Sequence, residues 1–295
     1  AEASSDAGVE GDAPACDAPC APATLLVESG FEPTIATDGK NVFVRVGDTI
    51  QSCSVNGCAS ASTVFSAGSA TPRLVAASSS HVYWNDGNAV FGCAGAGACG
   101  TPSTIVDLGA LALTGLSAST ASNWVHAVGW SGNTLRVVRA SLDGSVQTQV
   151  ISQSIASSTS GAVVAVPQST RVYWAEDGVP ALFDCVSPPC ASPDHSTAGL
   201  ATSPLGLAAT IGAVFFGTTS GLYVASTDLA SFKQLAGGGL VERVVLATAS
   251  EANVYFGEST GAAWTLASCA TGASTCPTPS VLHTTTTPIT ALTTD

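Results

Sequence analysis

Short apolar runs recur along the chain, and each run ends just before a glycine-containing turn. In five of them a valine is followed by an aromatic residue or pair: Val42-Phe43-Val44, Val82-Tyr83-Trp84, Val172-Tyr173-Trp174, Val214-Phe215-Phe216 and Val254-Tyr255-Phe256. A degenerate copy covers residues 124–130, and the turn glycines that follow the six runs are 40, 45, 46, 43 and 40 residues apart. After each turn apolar and polar residues alternate, which is the period of a half-buried β-strand. The pattern therefore predicts one β-rich unit repeated along the chain.

Each repeat contains four short apolar or β-branched segments. In the second repeat these segments are residues 74–77, 81–84, 89–92 and 103–106. Four strands within 40 to 46 residues match the size of one blade of a β-propeller. Helical periodicity and helix caps are nearly absent, which disfavours parallel sheets with crossover helices. We therefore predict an all-β propeller of four-stranded blades over residues 23–295.

Closure of the predicted ring depends on the two ends of the chain. Residues 11–28 repeat the order of turn, cysteine pair and β-branched run found in residues 47–65, and residues 288–292 resemble the first strand of a blade. A closed ring leaves no unpaired edge strand, so we expect the N- and C-terminal strands to pair. Seven units would share the 295 residues at about 42 each, and seven blades are favoured. The alternative is six blades. The acidic, Pro/Ala/Ser-rich residues 1–22 are expected to form a tether or a weak closing strand.

The ten cysteines fall into five local pairs, each between the third and fourth strands of a unit. The pairs are Cys16/Cys20, Cys53/Cys58, Cys93/Cys99, Cys185/Cys190 and Cys269/Cys276. Units without a pair have ordinary turn residues at the same place, which indicates that a cystine closes a hairpin there. Zinc sites favour closely spaced pairs or mixed Cys/His sets, whereas each of these pairs belongs to a different unit. We expect five disulfides, an oxidising compartment and no metal site.

Charge and hydropathy narrow the range of partners. The net charge is −13, with 8 Lys+Arg against 21 Asp+Glu. A nucleic-acid binder needs a basic surface that neutralises phosphates, so we expect no nucleic acid and no anionic membrane surface as a partner. The longest uncharged stretch that could be taken for a membrane span is residues 199–226. It contains proline and follows the repeat, so we interpret it as strands and expect no membrane span. The Ala-Glu-Ala start without Met indicates a signal peptide already removed, hence a secreted, extracellular or outer-envelope protein.

Two of the aromatic runs continue into acidic turn residues. Tyr83-Trp84-Asn85-Asp86 and Tyr173-Trp174-Ala175-Glu176-Asp177 resemble the YWTD-type propeller repeat. The repeat over about residues 23–295 is also similar to the NHL and YVTN groups, and to secreted repeat propellers of Gram-negative soil and predatory bacteria. The resemblance implies a propeller that binds partners, and it implies no shared catalytic residues.

Candidate ligand contacts lie in the turns. Trp130 is the aromatic residue closest to a turn, and we expect it to be exposed for stacking on a sugar or an aromatic group. The other aromatic residues are expected to pack between blades. Acidic turn residues form a predicted rim on one face of the ring: Asp48, Asp86, Glu176, Asp177 and Glu258. Such carboxylates could bind a structural Ca²⁺ or act as a glycosidase pair, but we expect no other cofactor and identify no catalytic residue.

Three functions follow from these patterns. The favoured one is a non-catalytic secreted or cell-envelope propeller that acts as a scaffold for a protein or glycan at the cell surface. The second is a structural subunit of an extracellular filament, self-associating by exchange of terminal strands. The third is a hydrolase or lyase with a site on the acidic rim. We rank it last, because no spaced histidine, serine or cysteine motif supports catalysis.

Overall fold

The computed structural model describes residues 35–295 apart from 55–60, 67–73, 88, 96, 108, 110–111, 120–122, 132, 155–160, 166–169, 177, 247–251, 262, 287, 290–291 and 293–295. These residues form 24 strands in six four-stranded antiparallel sheets. The sheets are the blades of a β-propeller, numbered 1 to 6 in chain order. Six is the number given by our alternative. The seven-bladed expectation, and the assignment of residues 1–22 as a tether, depend on residues 1–34, which lie outside the described residues.

The strand bounds agree with the predicted segments. Blades 1 to 3 are β1 (Ile35–Thr37), β2 (Asn41–Val46), β3 (Thr49–Ser54), β4 (Ser62–Ser66); β5 (Val75–Ala77), β6 (His81–Asp86), β7 (Ala89–Ala94), β8 (Ser103–Asp107); β9 (Ala112–Ser119), β10 (Trp124–Ser131), β11 (Thr134–Ser141) and β12 (Gln147–Ser154). Blades 4 to 6 are β13 (Gly161–Ala165), β14 (Val172–Glu176), β15 (Leu182–Cys185), β16 (His195–Ser196); β17 (Gly206–Ala209), β18 (Ala213–Thr218), β19 (Gly221–Ser226), β20 (Phe232–Ala236); β21 (Leu240–Leu246), β22 (Asn253–Ser259), β23 (Trp264–Ala270) and β24 (Ser280–Thr285).

Within each blade the strands pair in chain order, and we call them strands a, b, c and d. The a strands β1, β5, β9, β13, β17 and β21 contact one another in succession. Because neighbouring strands are antiparallel, the a–b turns and c–d loops lie at one end of every blade. The b–c turns and the links between blades lie at the other end. We call these two ends the cd face and the bc face.

The hydrophobic core consists of layers between consecutive blades. Among the described residues, five buried clusters join blades 1–2, 2–3, 3–4, 4–5 and 5–6. Neighbouring residues of strand b supply opposite layers: Val82 and Trp84 face blade 1, whereas Tyr83 faces blade 3. All three are at most 1% exposed. Burial of such side chains stabilises by about 1.5–3 kcal/mol each, which explains why the valine–aromatic run recurs and confirms that these aromatics pack between blades.

A β-bulge recurs in the pairing of strands c and d in blades 1, 2, 3, 5 and 6. The pairing skips one residue, for example Val64 in blade 1, and in blades 1, 2, 3 and 5 the skipped side chain is buried. The backbone carbonyl of the skipped residue accepts an N–H from the c–d loop of the following blade. Three such bonds join Cys99 to Val64 (2.7 Å), Cys190 to Val150 (2.8 Å) and Cys276 to Leu235 (2.6 Å). The donor is in each case the second cysteine of a pair.

The described disulfides close the c–d hairpins as the sequence predicts. They are Cys93–Cys99, Cys185–Cys190 and Cys269–Cys276, with Cα–Cα distances of 5.9, 6.0 and 6.0 Å. Cys53 is also disulfide-bonded. Its expected partner Cys58, together with Cys16 and Cys20, lies outside the described residues. The disulfide prediction is therefore confirmed for the described pairs, and disulfides favour an oxidising compartment.

Blades 3 and 5, which lack a cystine, are joined to the preceding blade by a tyrosine. The Tyr83 hydroxyl donates to the Leu142 carbonyl (3.1 Å), and the Tyr173 hydroxyl donates to the Thr227 carbonyl (2.7 Å). Both acceptors lie in c–d loops. Where the next blade carries a cystine, the residue at the same place in blades 1 and 5 is phenylalanine, Phe43 or Phe215. In these two joints the tyrosine hydroxyl supplies the donor to a carbonyl of the c–d loop.

Candidate functional site

The acidic turn residues lie on the bc face, as expected for b–c turns. Asp48 is exposed in the turn between β2 and β3, and Asp86 is half-buried at the end of β6. Glu258 is half-buried in β22, Glu176 is buried at the end of β14, and Asp177 lies outside the described residues. The described positions belong to different blades, so each of their carboxylates projects from a separate sheet. Their role in ligand binding stays a prediction.

Glu258 has a structural partner of its own. Its Oε1 accepts the backbone N–H groups of Gly238 and Gly239, both at 3.1 Å, in the link from β20 to β21. The carboxylate therefore fixes the connection between blades 5 and 6. A Ca²⁺ on this rim stays a prediction.

Trp130 is not the exposed aromatic that the sequence indicates. Its side chain is 5% exposed, and its Nε1 donates to Thr114 Oγ1 at 2.9 Å. It packs with Val128 and Trp174 between blades 3 and 4. The prediction of exposure is wrong because β10 continues to Ser131, so Trp130 lies within the strand and not in the turn. It offers no open ring face for stacking on a ligand.

The strongest polar site among the described residues is a buried carboxylate in blade 4. Asp184 in β15 is 0% exposed, and its Oδ1 lies 3.0 Å from His195 Nδ1 and accepts the His195 backbone N–H at 2.9 Å. Arg171 Nε lies 3.5 Å from Asp184 Oδ2. Burial raises the pKa of Asp184, while the hydrogen bond from His195 and the charge of Arg171 oppose that rise.

This carboxylate lies where blade 4 meets blade 5 on the cd face. The Arg171 Nη1 donates to the Thr227 carbonyl of the blade 5 loop and lies 3.2 Å from the Tyr173 hydroxyl. Asp184 therefore orients a cation that binds the neighbouring blade. The same carboxylate also holds His195, whose side chain is 39% exposed, in one orientation. A buried acid that orients an imidazole is one part of an acid–base site. Here the other partner of Asp184 is Arg171, which joins blade 4 to blade 5.

The apolar pattern of the sequence does not indicate Asp184, although the repeat contains a signal for it. The residue before the first cysteine of a pair lies directly opposite an aromatic residue of strand b. In the blades other than blade 4 that carry a cystine, this residue is therefore small. It is Ser52, Gly92 or Ser268 in the corresponding blades, whereas Asp184 stands before Cys185. An aspartate at a position otherwise occupied by serine or glycine marks a polar joint.

One group of potential metal ligands lies beside this joint. The ligand atoms of Cys185, Cys190 and Asp194 are within 4.8 Å of one another. Both sulfurs are bonded to each other in the disulfide, however, and Asp194 Oδ2 accepts the Val186 N–H at 2.7 Å. A cystine supplies no thiolate for a metal. The closeness of these atoms is explained by hairpin closure.

Comparisons with known proteins identify the fold. No protein-family model matches this sequence, and no curated protein matches it. The chain is similar to a structure of the mitotic checkpoint complex, with 11% identity and a TM-score of 0.67 over 98% of this chain and 92% of that one. It is similar to the β-propeller domain of Cps50 (Swd1) from Myceliophteria thermophila, with 10% identity and a TM-score of 0.54 over 76% and 79% of the two chains. It is also similar to a nidogen/laminin complex, with 13% identity and a TM-score of 0.52 over 68% and 78%.

At 10–13% identity these likenesses establish architecture and nothing finer. In the part of the chain that the structure describes, no helix has the length and apolar character needed to cross a membrane. The sheet topology and the solved neighbours agree with each other. The chain is an all-β propeller built of four-stranded blades.

Proposed function

We propose that this protein is a non-catalytic scaffold, secreted or held at the cell envelope, that binds a protein or glycan on its bc face. The observation that carries the proposal is the division of the side chains between interior and surface. The large aromatic residues of the b strands in blades 2, 4 and 5 are buried between blades, whereas the carboxylates of Asp48 and Asp86 remain at the bc face. A scaffold of this kind presents turns on a rigid ring.

Charge favours a partner with a basic or hydrogen-bonding surface. The net charge of −13 creates a negative field, and acidic turns on one face attract a complementary patch and accelerate association. The described disulfides support secretion, and the resemblance to YWTD-type repeats supports partner binding. Catalysis has less support, because the buried Asp184 is engaged by Arg171 and the backbone of His195.

The test uses a double variant that removes rim charge while keeping the side-chain shape. Asp48→Asn/Asp86→Asn is compared with Asp194→Asn/Asp228→Asn, which removes the same charge from c–d loops on the opposite face. Binding is measured on arrays of defined glycans and of basic peptides at two salt concentrations. We expect the rim variant to bind about tenfold more weakly and the control to bind like the wild type.

Two results contradict the proposal. Equal binding by the rim variant and the wild type excludes the bc face as the binding surface. Release of cleaved products from an arrayed glycan or peptide supports the hydrolase or lyase alternative. The filament alternative depends on how the ring is completed, which is a separate property of the molecule.

A further inference from the structure

The side of blade 6 that points away from blade 5 is open among the described residues. Leu266 in β23 and Tyr255 in β22 are only half-buried, and Leu282 in β24 is 53% exposed. Their counterparts in the other blades are buried. For Leu266 these are Ile50, Val90, Leu182 and Leu222, all 0% exposed, and for Leu282 they are Val64, Ile105, Val150 and Leu235, at most 3% exposed. This side of blade 6 therefore has apolar residues at the positions that a following blade covers in blades 1 to 5, but no described blade covers it.

In the part of the chain that the structure describes, blade 1 is open on the complementary side. Val42 and Val44 in β2 are half-buried, whereas Val82 and Trp84, their counterparts in blade 2, are at most 1% exposed because blade 1 covers them. No buried cluster of the described residues joins blade 6 to blade 1. Two matching apolar faces therefore border one seam.

The chain end already covers part of this seam. In blade 5, a Cβ placed on Gly217 would collide with the carbonyl of Val241 in the a strand of blade 6. Gly257 holds the same position in blade 6, and a Cβ there would lie 3.2 Å from the side chain of Ile289. Ile289 therefore occupies the place of an a strand from a following blade, which agrees with the prediction that residues 288–292 begin a blade.

We propose that residues 11–28 of the same chain bind in this seam as strands c and d of a seventh blade. The spacing of the bulge residue supports this assignment. The second cysteine of a pair precedes the skipped residue by six positions in Cys58/Val64, Cys99/Ile105 and Cys276/Leu282, and Cys20 precedes Leu26 by six positions. The N–H of Cys20 then donates to the Leu282 carbonyl, as Cys276 donates to Leu235.

The link to β1 identifies the donor as the same chain. Residues 29–34 would connect the proposed d strand to Ile35, a span of six residues. The described blade-to-blade links range from three residues, between β20 and β21, to nine, between β16 and β17. Six residues extend at most about 20 Å, so the donated strands must lie directly beside blade 1. That place is the seam of their own ring, and this inference is independent of the proposed function.

The experiment places a photo-cross-linker, p-benzoylphenylalanine, at position 282 of the full chain. Protein at natural isotope abundance is mixed with an equal amount of ¹⁵N-labelled protein before irradiation. We expect links from position 282 to peptides within residues 11–28, with both peptides carrying the same isotope. The control has the same group at position 281, which is exposed in blade 6. The residues at the corresponding position of blades 1, 2, 3 and 5 are also exposed: Thr63, Thr104, Gln149 and Gln234. The control should give no link to residues 11–28.

A second measurement does not depend on the cross-linking chemistry. Leu282→Asp should expose the N-terminal strands, so a glutamate-specific protease should cleave after Glu28 about tenfold faster than in the wild type. Val281→Asp should leave the rate unchanged. Links between peptides of different isotopes would mean that another copy donates the strands, and would overturn the proposal in favour of a filament. Equal cleavage in all three proteins, or cross-links that avoid residues 11–28, would also overturn it.

Discussion

The interior of the ring contains a histidine whose ionisation should limit stability in acid. His126 in β10 is 1% exposed, and its Nδ1 finds no hydrogen-bond partner among the described residues. Burial lowers its pKa to about 3, and the charge of Arg139 opposes protonation further. Phe43 and Phe215 occupy the same place in blades 1 and 5. His126→Phe therefore introduces the residue that other blades of this chain already have at this position.

The magnitude follows from the difference between folded and unfolded pKa values. The folded pKa lies below the ordinary 6.5, so the unfolded chain binds a proton first as the pH falls. The stability that neutral His126 contributes is fully present above pH 6.5 and is lost as the pH falls toward 3. Each pH unit costs about 1.36 kcal/mol in this window. At pH 4.5 the wild type should therefore have lost about 2.7 kcal/mol relative to His126→Phe.

The assay is urea unfolding of both proteins at pH 7 and pH 4.5. At pH 7 we expect the two free energies of unfolding to differ by less than about 1.5 kcal/mol, because an aromatic ring replaces a ring. At pH 4.5 the variant should be the more stable, and acidic groups common to both proteins cancel in the difference. His283→Gln, which replaces an exposed histidine of β24, serves as the surface control. If the difference between wild type and His126→Phe is the same at both pH values, His126 takes up its proton in the folded state and the reasoning is refuted.

Three further predictions concern the joints between blades. Thiol titration of the unfolded, unreduced protein should find no more than one free thiol among the ten cysteines, and several free thiols would exclude the five-disulfide pattern. Tyr83→Phe should lower the free energy of unfolding by about 1 kcal/mol, because the Leu142 carbonyl loses its buried donor. An unchanged urea midpoint would mean that water replaces the hydroxyl. Gly217→Ala should destabilise by about 2 kcal/mol or more, because its Cβ would collide with the Val241 carbonyl, whereas Gly212→Ala, which meets nothing within 4 Å, should change stability by less than about 0.5 kcal/mol. Equal thermal midpoints for the two alanine variants would contradict this assignment of the interface.

The local features of the fold could be predicted because their causes lie within one repeat. Alternation of apolar and polar residues marks each strand, and glycine marks each turn. The cysteine pairs lie five to seven residues apart in the described disulfides, so a hairpin brings them together without help from the rest of the chain. Sequence alone also indicated that aromatic neighbours in strand b face opposite sides, because side-chain direction in a strand alternates.

The site residues could be predicted less well, because their surroundings come from distant parts of the chain. Tyr83 meets Leu142 across 59 positions, and Arg171 meets Thr227 across 56. Trp130 looked like a turn residue until the extra length of β10 placed it between two blades. Asp184 stands out only when polar positions of the repeats are compared as carefully as apolar ones.

By itself, the sequence determined the four-stranded unit, its repetition and the hairpin cystines, since these follow from short-range periodicity and spacing. Only the tertiary structure decided which faces of the strands are buried, since burial depends on the blade that packs against each face. It also showed that, among the described residues, nothing covers Leu282 and Leu266 in blade 6 as their counterparts in other blades are covered. That difference arises because a blade is stabilised by its neighbours, and a neighbour is defined by the closed ring and not by local sequence.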